Sequence, residues 1–288
     1  MITIVYSTHK NEEYNSNFKQ HLLQSVGLDN VQILQYQNNN QYSLAEVYNS
    51  GITESKYDIV VCCHNDIKLE KNWGKKLLGD FSNNPEFGII GKAGSCYFPE
   101  SGVYWERMQQ TMVGQVYHHP IGQKKWLNKY SPKLPFLIPV VTVDGLFISF
   151  DKTKIKHKFD QSYGKFHFYD HGFAVPNYVD GVKIGITSSF EITHESVGQP
   201  NQEFFGWEKG DYIYAQGGVV WKLVQTYCQH VNRTFPVTER TLWEHLNRNS
   251  VLEKQNNKIS ESLKIPEQEH QPIRVMKFRR DRLFGCTE

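Results

Sequence analysis

Four polar residues stand at or near the ends of apolar runs in this chain: Asp66, Asp144, Asp170 and His194. Asp66 follows the run Ile59-Val60-Val61-Cys62-Cys63 and the pair His64-Asn65, after which apolar residues resume at Ile67 and Leu69. The run reads as a buried strand. A carboxylate at the carboxyl end of such a strand faces the crevice in which α/β sheets bind their ligands. Mg²⁺ and Mn²⁺ take oxygen ligands, commonly one or two carboxylates together with substrate phosphates. Asp66 is therefore a candidate for holding a divalent metal beneath a diphosphate.

Each residue also has a plainer reading. Asp66 could cap a helix before Leu69-Glu70, since Asp is favoured at that position. Asp144 sits inside an apolar run, where a carboxylate is either functional or paired. Asp170 could cap the helix that follows it, and His194 by itself is an ordinary polar residue at a strand end. His64 fits a metal ligand, a phosphate contact or a solvated neighbour equally well.

The elements that must position these residues follow from patterning. Residues 2–6 form a short β-rich run ending in Ser7-Thr8-His9. Residues 17–25 have helical spacing, with apolar positions at 18, 22 and 23. Residues 31–36 read as a second strand. Ser43-x-x-Glu46 is a capping-box pattern that opens a helix running from 43 to 50 and into Gly51. With the strand at 59–63, this is strand–helix–strand–helix–strand within about 65 residues, the signature of a parallel α/β sheet. A helix is expected over 73–81 and a strand over 87–91. Residues 94–135, rich in Gly, Tyr, Trp, His and Pro, read as a long irregular excursion with a hairpin around 112–118. A strand over 139–150 carries Asp144-Gly145 at its middle. Residues 166–175 read as the start of a helix with Asp170 near its beginning, a strand follows at 182–186, and the segment 190–194 comes after it. From 199 onward the pattern is helical, ending in the basic stretch RVMKFRRDRLFG.

The chain of 288 residues has ample material for one large domain with an extension. A formal charge of +2 lacks the basic excess that duplex nucleic acid demands, so nucleic acid is not an expected partner. Five cysteines without a CxxC pair, two of them inside a predicted strand, point to a reducing compartment. The start MITIVYSTHK enters a strand directly, with no signal-peptide layout. No run approaches the roughly 20 apolar residues of a spanning helix. A cytoplasmic setting is expected, in which the basic stretch from Arg274 to Arg282 is either a solvated tail or a contact to an anionic membrane surface. The sequon Asn232-Arg233-Thr234 then has no secretory context.

Taken in order, the segments IVYST, SLAEVYNSGITESKYDIVVCCHNDIKL, VTVDGLFISF, FDQSYGKFHFYDHGFAV and ITHES resemble the family 2 glycosyltransferases of GT-A fold, over roughly residues 1–198. The resemblance implies a GT-A domain (a Rossmann-like mixed α/β sheet) with a mostly helical extension over 199–288. It implies an enzyme that moves a sugar from a nucleotide-sugar donor, foremost a UDP-sugar, to a glycan, lipid-linked or protein acceptor in the building of a surface polysaccharide or glycoprotein glycan. Inversion at the anomeric centre and a divalent cofactor, Mn²⁺ or Mg²⁺, come with it. Asp66 is similar to the last aspartate of the DxD motif, and His194 to a late histidine that joins the metal. Asp170 is similar to the general base, and Asp144-Gly145 to the pair that lines donor sugar and acceptor. Ser7, Thr8, Asn49 and Gly51 are similar to the nucleotide-binding loop and helix.

The chain departs from that pattern at defined places. His64 and Asn65 occupy the first two DxD positions. Tyr169 precedes Asp170 where many relatives have Glu. Tyr36-Gln37-Asn38 offers no carboxylate for the nucleotide base. Loss of one carboxylate should weaken metal binding or shift its choice, and a relative that binds nucleotide sugar or glycan without turnover is the alternative reading. A phosphoryl-transfer or hydrolytic enzyme is a further one, although no GxxxxGK[ST] loop is present. Trp105, Trp126 and tyrosines 97, 104, 117 and 130 could stack on an acceptor sugar or pack the excursion onto the sheet.

Overall fold

The computed structural model describes residues 1–97, 111–162 and 165–197. The expected helical extension, its tryptophans and its basic end, with Tyr104 and Trp105, lie outside the described residues.

The amino-terminal part alternates as its pattern demands. β1 (Ile2–Thr8), α1 (Glu12–Ser25), β2 (Val31–Gln37), α2 (Leu44–Glu54) and β3 (Ile59–Cys63) follow one another, and β1 pairs in parallel with both β2 and β3. β3 is apolar throughout because both of its faces are covered. Val60 and Cys62 face the core that contains α2 residues Val47 and Tyr48. Val61 and Cys63 face the core that contains Phe18 and Leu22 of α1 and Trp73 and Leu77 of α3 (Trp73–Asn83). The three described cysteines, Cys62, Cys63 and Cys96, are buried.

Local capping sets the helix starts. The side chain of Asn11 caps α1, so that helix begins earlier than residue 17. Ser43 and Glu46 form the full capping box on α2. Gly51 lies inside α2, not at its end, because a Cβ there would lie 2.4 Å from Val5 Cγ1. Its missing side chain lets the helix seat on β1.

Beyond β3 the sheet becomes mixed. β4 (Ile67–Leu69) follows the His64-Asn65-Asp66 turn. β5 (Phe87–Gly91), β6 (Ala93–Ser95), β7 (Met112–His118) and β8 (Trp126–Lys129) come next. The excursion holds the expected hairpin, β7 with β8. The single strand expected over 139–150 is instead three: β9 (Ile138–Val140), β10 (Thr142–Val143) and β11 (Phe147–Asp151). Pro139 lacks an N–H and sits in the edge strand β9. The chain then changes sheets for β10 and returns for β11. Asp144 makes the return corner, its carboxylate accepting the Leu146 N–H at 2.8 Å. α4 (Tyr169–Val179), β12 (Lys183–Ile186) and β13 (Ile192–His194) complete the described elements.

Two sheets result. The larger has order β2-β1-β3-β11-β5-β12-β9, with β11 antiparallel to β3 and β5. The smaller has order β10-β6-β7-β13-β4, with β8 on β7. In the smaller sheet His194 of β13 pairs with Ile67 of β4 and with His118 of β7. That register carries His194 to the turn that follows β3.

Candidate active site

The turn between β3 and β4 is braced from several sides. His64 N–H donates to Leu146 O (3.2 Å), and Asn65 Nδ2 donates to Thr8 Oγ1 (2.8 Å). Tyr14 Oη donates to Asn65 O (3.0 Å), and Glu195 N–H donates to Asp66 O (2.8 Å). With its backbone held, Asp66 presents its carboxylate between two imidazoles. Its Oδ2 lies 3.3 Å from His194 Nε2, and its Oδ1 lies 3.8 Å from His64 Nδ1. The three side chains offer ligand atoms that all lie within 4.8 Å of one another.

Burial pushes the Asp66 carboxyl up. The hydrogen bond from His194, the fields of both histidines and the Ser196 hydroxyl outweigh that and hold it well below the ordinary carboxylate range. Burial drives the His64 imidazole down, partly countered by Asp66. The carboxylate is thus ionised while His64 resists protonation, as metal ligation needs. Asp66 Oδ1 is moreover buried without a hydrogen-bond partner. An orphaned carboxylate oxygen facing an imidazole nitrogen beyond hydrogen-bond range fits a cation between them. Two imidazoles and one carboxylate suit Mn²⁺ and its transition-metal neighbours better than Mg²⁺, which demands oxygen.

The cluster lies at one side of a cavity of about 170 Å³ that is lined by Ser7, Thr8, His9, Asn38, Asn40, Leu44, Tyr48, Phe166 and the His64–Asp66 turn. Ser7, Thr8, His64 and Asp66 therefore share one cavity. Asn49 and Gly51 are not among the lining residues. Asn49 exchanges hydrogen bonds with the backbone of Phe159 at 2.8 and 2.9 Å, and Gly51 packs on Val5. Their positions serve the seating of α2. Asn38 lines the cavity, but its amide is committed to Ser7, Gln41 and Tyr42.

The Asp144-Gly145 corner and Asp170 meet beside the cluster. Gly145 N–H donates to Asp170 Oδ2 at 3.0 Å, and the His171 N–H and ring donate to Asp170 Oδ1 at 2.8 and 3.0 Å. Burial raises the Asp170 carboxyl, but the His171 field and these hydrogen bonds prevail and lower it. α4 starts from Phe168 in the left-handed region (φ 61°), an uncommon conformation for a bulky residue that aims the next two side chains inward.

Several residues absent from the expectations complete the site. Tyr169 Oη lies 2.9 Å from His64 Nε2. Ser196 Oγ lies 3.0 Å from His194 Nε2. The His118 ring lies 5.6 Å from that of His194 and stacks on Trp126 at 5.4 Å. Of the aromatics proposed as a sugar wall, Trp126 thus stands one ring behind the histidine cluster. Burial and the nearby Asp144 push the Tyr130 hydroxyl up to about 12. The Ser two residues after His194 is the one of these visible as a local pattern.

A family model described as "Glycosyltransferase like family" matches residues 3–203, more than half of the chain. The chain belongs to the glycosyltransferase-like family. The mixed α/β architecture described above is the GT-A arrangement expected of it. Among solved structures the chain is similar to GalNAc-T7 with UDP, GalNAc and Mn²⁺ (9% identity, TM-score 0.49, 81% of this chain and 56% of that one). It is also similar to A197 from STIV (13% identity, TM-score 0.39, 68% and 86%) and to S. aureus TarS (10% identity, TM-score 0.45, 71% and 38%). The chain therefore spans little more than half of the first of these proteins and less than half of the last. No curated protein matches. No helix among the described residues is long and apolar enough to cross a membrane.

Proposed function

We propose that this glycosyltransferase-like chain is a metal-dependent, inverting transferase that uses a nucleotide-sugar donor. The observation that carries the proposal is the His64–Asp66–His194 cluster, with its orphaned carboxylate oxygen, at one side of a polar cavity beside Asp170.

Asp66 and His194 would hold the divalent ion, with His64 as third ligand. When bound, the ion supplies Lewis-acid stabilisation of the departing diphosphate. Ser7 and Thr8 face the nucleotide side of the cavity, and Thr8 Oγ1 ties that wall to the turn through Asn65. Asp170, kept ionised by His171 and Gly145, is poised to take the proton of an acceptor hydroxyl. The acceptor oxygen forms its bond to the anomeric carbon, the bond from that carbon to phosphate breaks, and the proton goes to the Asp170 carboxylate. Attack on the face opposite the leaving group inverts the centre. A positioned base contributes typically about 10²–10⁴-fold.

We assign residues 1–198 to the transferase domain and 199–288 to an extension. The setting we infer is cytoplasmic, peripheral to a membrane at most, and the product a glycan or glycoconjugate. The UDP preference implied by the resemblance finds no support in the cavity lining, which has no carboxylate near Asn38.

A thermal-shift screen of UDP-, GDP-, CMP- and dTDP-sugars with and without Mn²⁺ tests the reading, since a ligand that binds the folded state raises its stability by mass action. One donor is expected to raise the melting temperature only with Mn²⁺ and to be consumed by the wild type. Binding without turnover in any acceptor mixture would support the non-catalytic binder. No response to any donor or metal would sink the proposal.

A further inference from the structure

β2 ends the larger sheet and pairs on one side only, with β1. Among the described residues, no backbone hydrogen bond outside the β1 ladder reaches residues 31–37. Backbone groups of successive strand residues point to opposite sides of the strand. Asn38 N–H, just past the strand, donates to Thr8 O at 2.7 Å, so Gln32, Leu34 and Tyr36 also turn their backbone groups to β1. Those of Val31, Ile33, Gln35 and Gln37 turn outward. An open edge is a template for another strand, and folds blunt it with short strands, Pro or Lys. The other described edges are blunted in this way. β9 has three residues with Pro139 at its centre, β10 has two residues, and β4 has three with Lys68 at its centre. β2 has seven residues, VQILQYQ, with no charge and no proline, and its register on β1 runs unbroken from Val31 to Gln37. Both faces of β2 pack on the fold, Leu34 and Tyr36 on the core that contains α2, and Val31 and Ile33 on the core that contains α1.

We propose that β2 is a docking edge for a second copy of this chain, joined antiparallel across a two-fold axis at Leu34. Residues that exchange hydrogen bonds in an antiparallel pair must both turn their backbone groups to the partner. An axis at Leu34 meets that requirement over the whole strand. Ile33 then exchanges hydrogen bonds with Gln35 of the second copy, and Val31 with Gln37, each pair occurring twice. Leu34 stands opposite Leu34 in a close pair without hydrogen bonds, and Gln32 stands opposite Tyr36. A two-fold axis sets a strand against its own reverse, where directly opposed like charges are destabilising. β2 has no charge to oppose. The assembly closes at two copies, because the far edge of the sheet is β9 with Pro139. One strand pair is a small interface, so the dimer is reversible and concentration-dependent. Ser7 and Thr8 at the carboxyl end of β1 line the cavity, so the cavities of the two copies come to opposite ends of the joined sheet. The pairing involves neither the metal nor the donor.

The test uses the full chain in a sedimentation series from nanomolar to near-millimolar concentration. Gln35→Pro removes an outward N–H and leaves the β1 ladder intact; it also loses the bond that Gln35 Oε1 accepts from Tyr6 Oη at 2.7 Å. Wild type is expected to pass reversibly from monomer to dimer. Gln35→Pro is expected to stay monomeric over the same range, with the circular dichroism of wild type. Disulfide trapping reads the register. Opposed residues of a close antiparallel pair have Cα atoms about 4.5 Å apart, within the range a disulfide spans. Leu34→Cys should therefore form a covalent dimer on mild oxidation. Gln32→Cys, which stands opposite Tyr36 and not opposite itself, should form no more than wild type does with its native cysteines. Wild type that remains monomeric throughout overturns the proposal. So does a dimer that persists in Gln35→Pro, which would lie on another surface. A dimer in which Leu34→Cys is trapped no better than Gln32→Cys overturns it as well. Should Gln35→Pro not fold, the two cysteine variants carry the test alone.

Discussion

Asp66 Oδ2 lies 3.3 Å from His194 Nε2, which joins the end of β3 to the end of β13. The contact depends on the pairing of His194 with Ile67 across two strands, so neither residue can be displaced alone. Asp66→Asn removes the charge and keeps the shape. It is expected to abolish the Mn²⁺-dependent rise in melting temperature and, because the fold favours the ionised carboxylate, to lower the metal-free melting temperature only modestly, as calorimetry with and without the ion would show. A large loss of metal-free stability would mean that Asp66 is structural.

Asp170 holds the Asp144-Gly145 corner through Gly145 N–H at Oδ2, while its Oδ1 takes the His171 N–H. Asp170→Asn is expected to lower turnover about 10²–10⁴-fold with donor affinity within a few-fold of wild type. Initial rates and donor titration on the same preparation separate the two effects. Equal loss of both would assign Asp170 to binding.

Gly145 has the closest approach in the site, 2.0 Å between a built Cβ and Tyr169 Oη. The hydroxyl belongs to a buried side chain held 2.9 Å from His64 Nε2, so it has little freedom to retreat. Gly145→Ala is expected to cost about 1–3 kcal/mol of stability, as overpacking of a filled interior does. It should also weaken Mn²⁺ binding, because Tyr169 is pushed from His64. Denaturant unfolding and metal titration check the two parts.

Lys92 gives a pH prediction away from the site. Its ammonium is buried over the Phe190 ring and donates to Thr187 O and Phe190 O, and burial lowers its titration to about 7. The unfolded chain keeps that proton up to the ordinary lysine range near 10.4. Between about pH 7 and pH 10 the unfolded state binds more protons, so this group makes stability rise with pH across that window. Below about pH 7 both states are charged and the burial penalty is constant. Lys92→Met should remove that slope. Melting temperatures of the two proteins at several pH values would show it, and parallel curves would refute it.

Much of the fold was legible because it rests on local rules. The strand at 59–63, the capping box at Ser43-Glu46 and the helix at 73–81 follow from patterning and caps that need only near neighbours. The place of Asp66 just after the third strand was legible as well, and the structure puts it in the turn between β3 and β4. Residues 139–150 were not. Their apolar run reads as one strand, yet Pro139 and Asp144 let it serve two sheets, and which strands would flank it is not written locally.

The sequence by itself determined which residues could do chemistry and roughly where strands end. Only the tertiary structure decided which of them meet. His194 reaches Asp66 through strand register, and Tyr169 reaches His64 because Gly145 has no side chain. The tertiary structure also decided that Asn49 meets the Phe159 backbone and that Gly51 packs on Val5 of β1. Spacing along a chain constrains neighbours over a few residues, whereas a site assembled from positions 64, 145, 169 and 194 depends on how whole sheets pack.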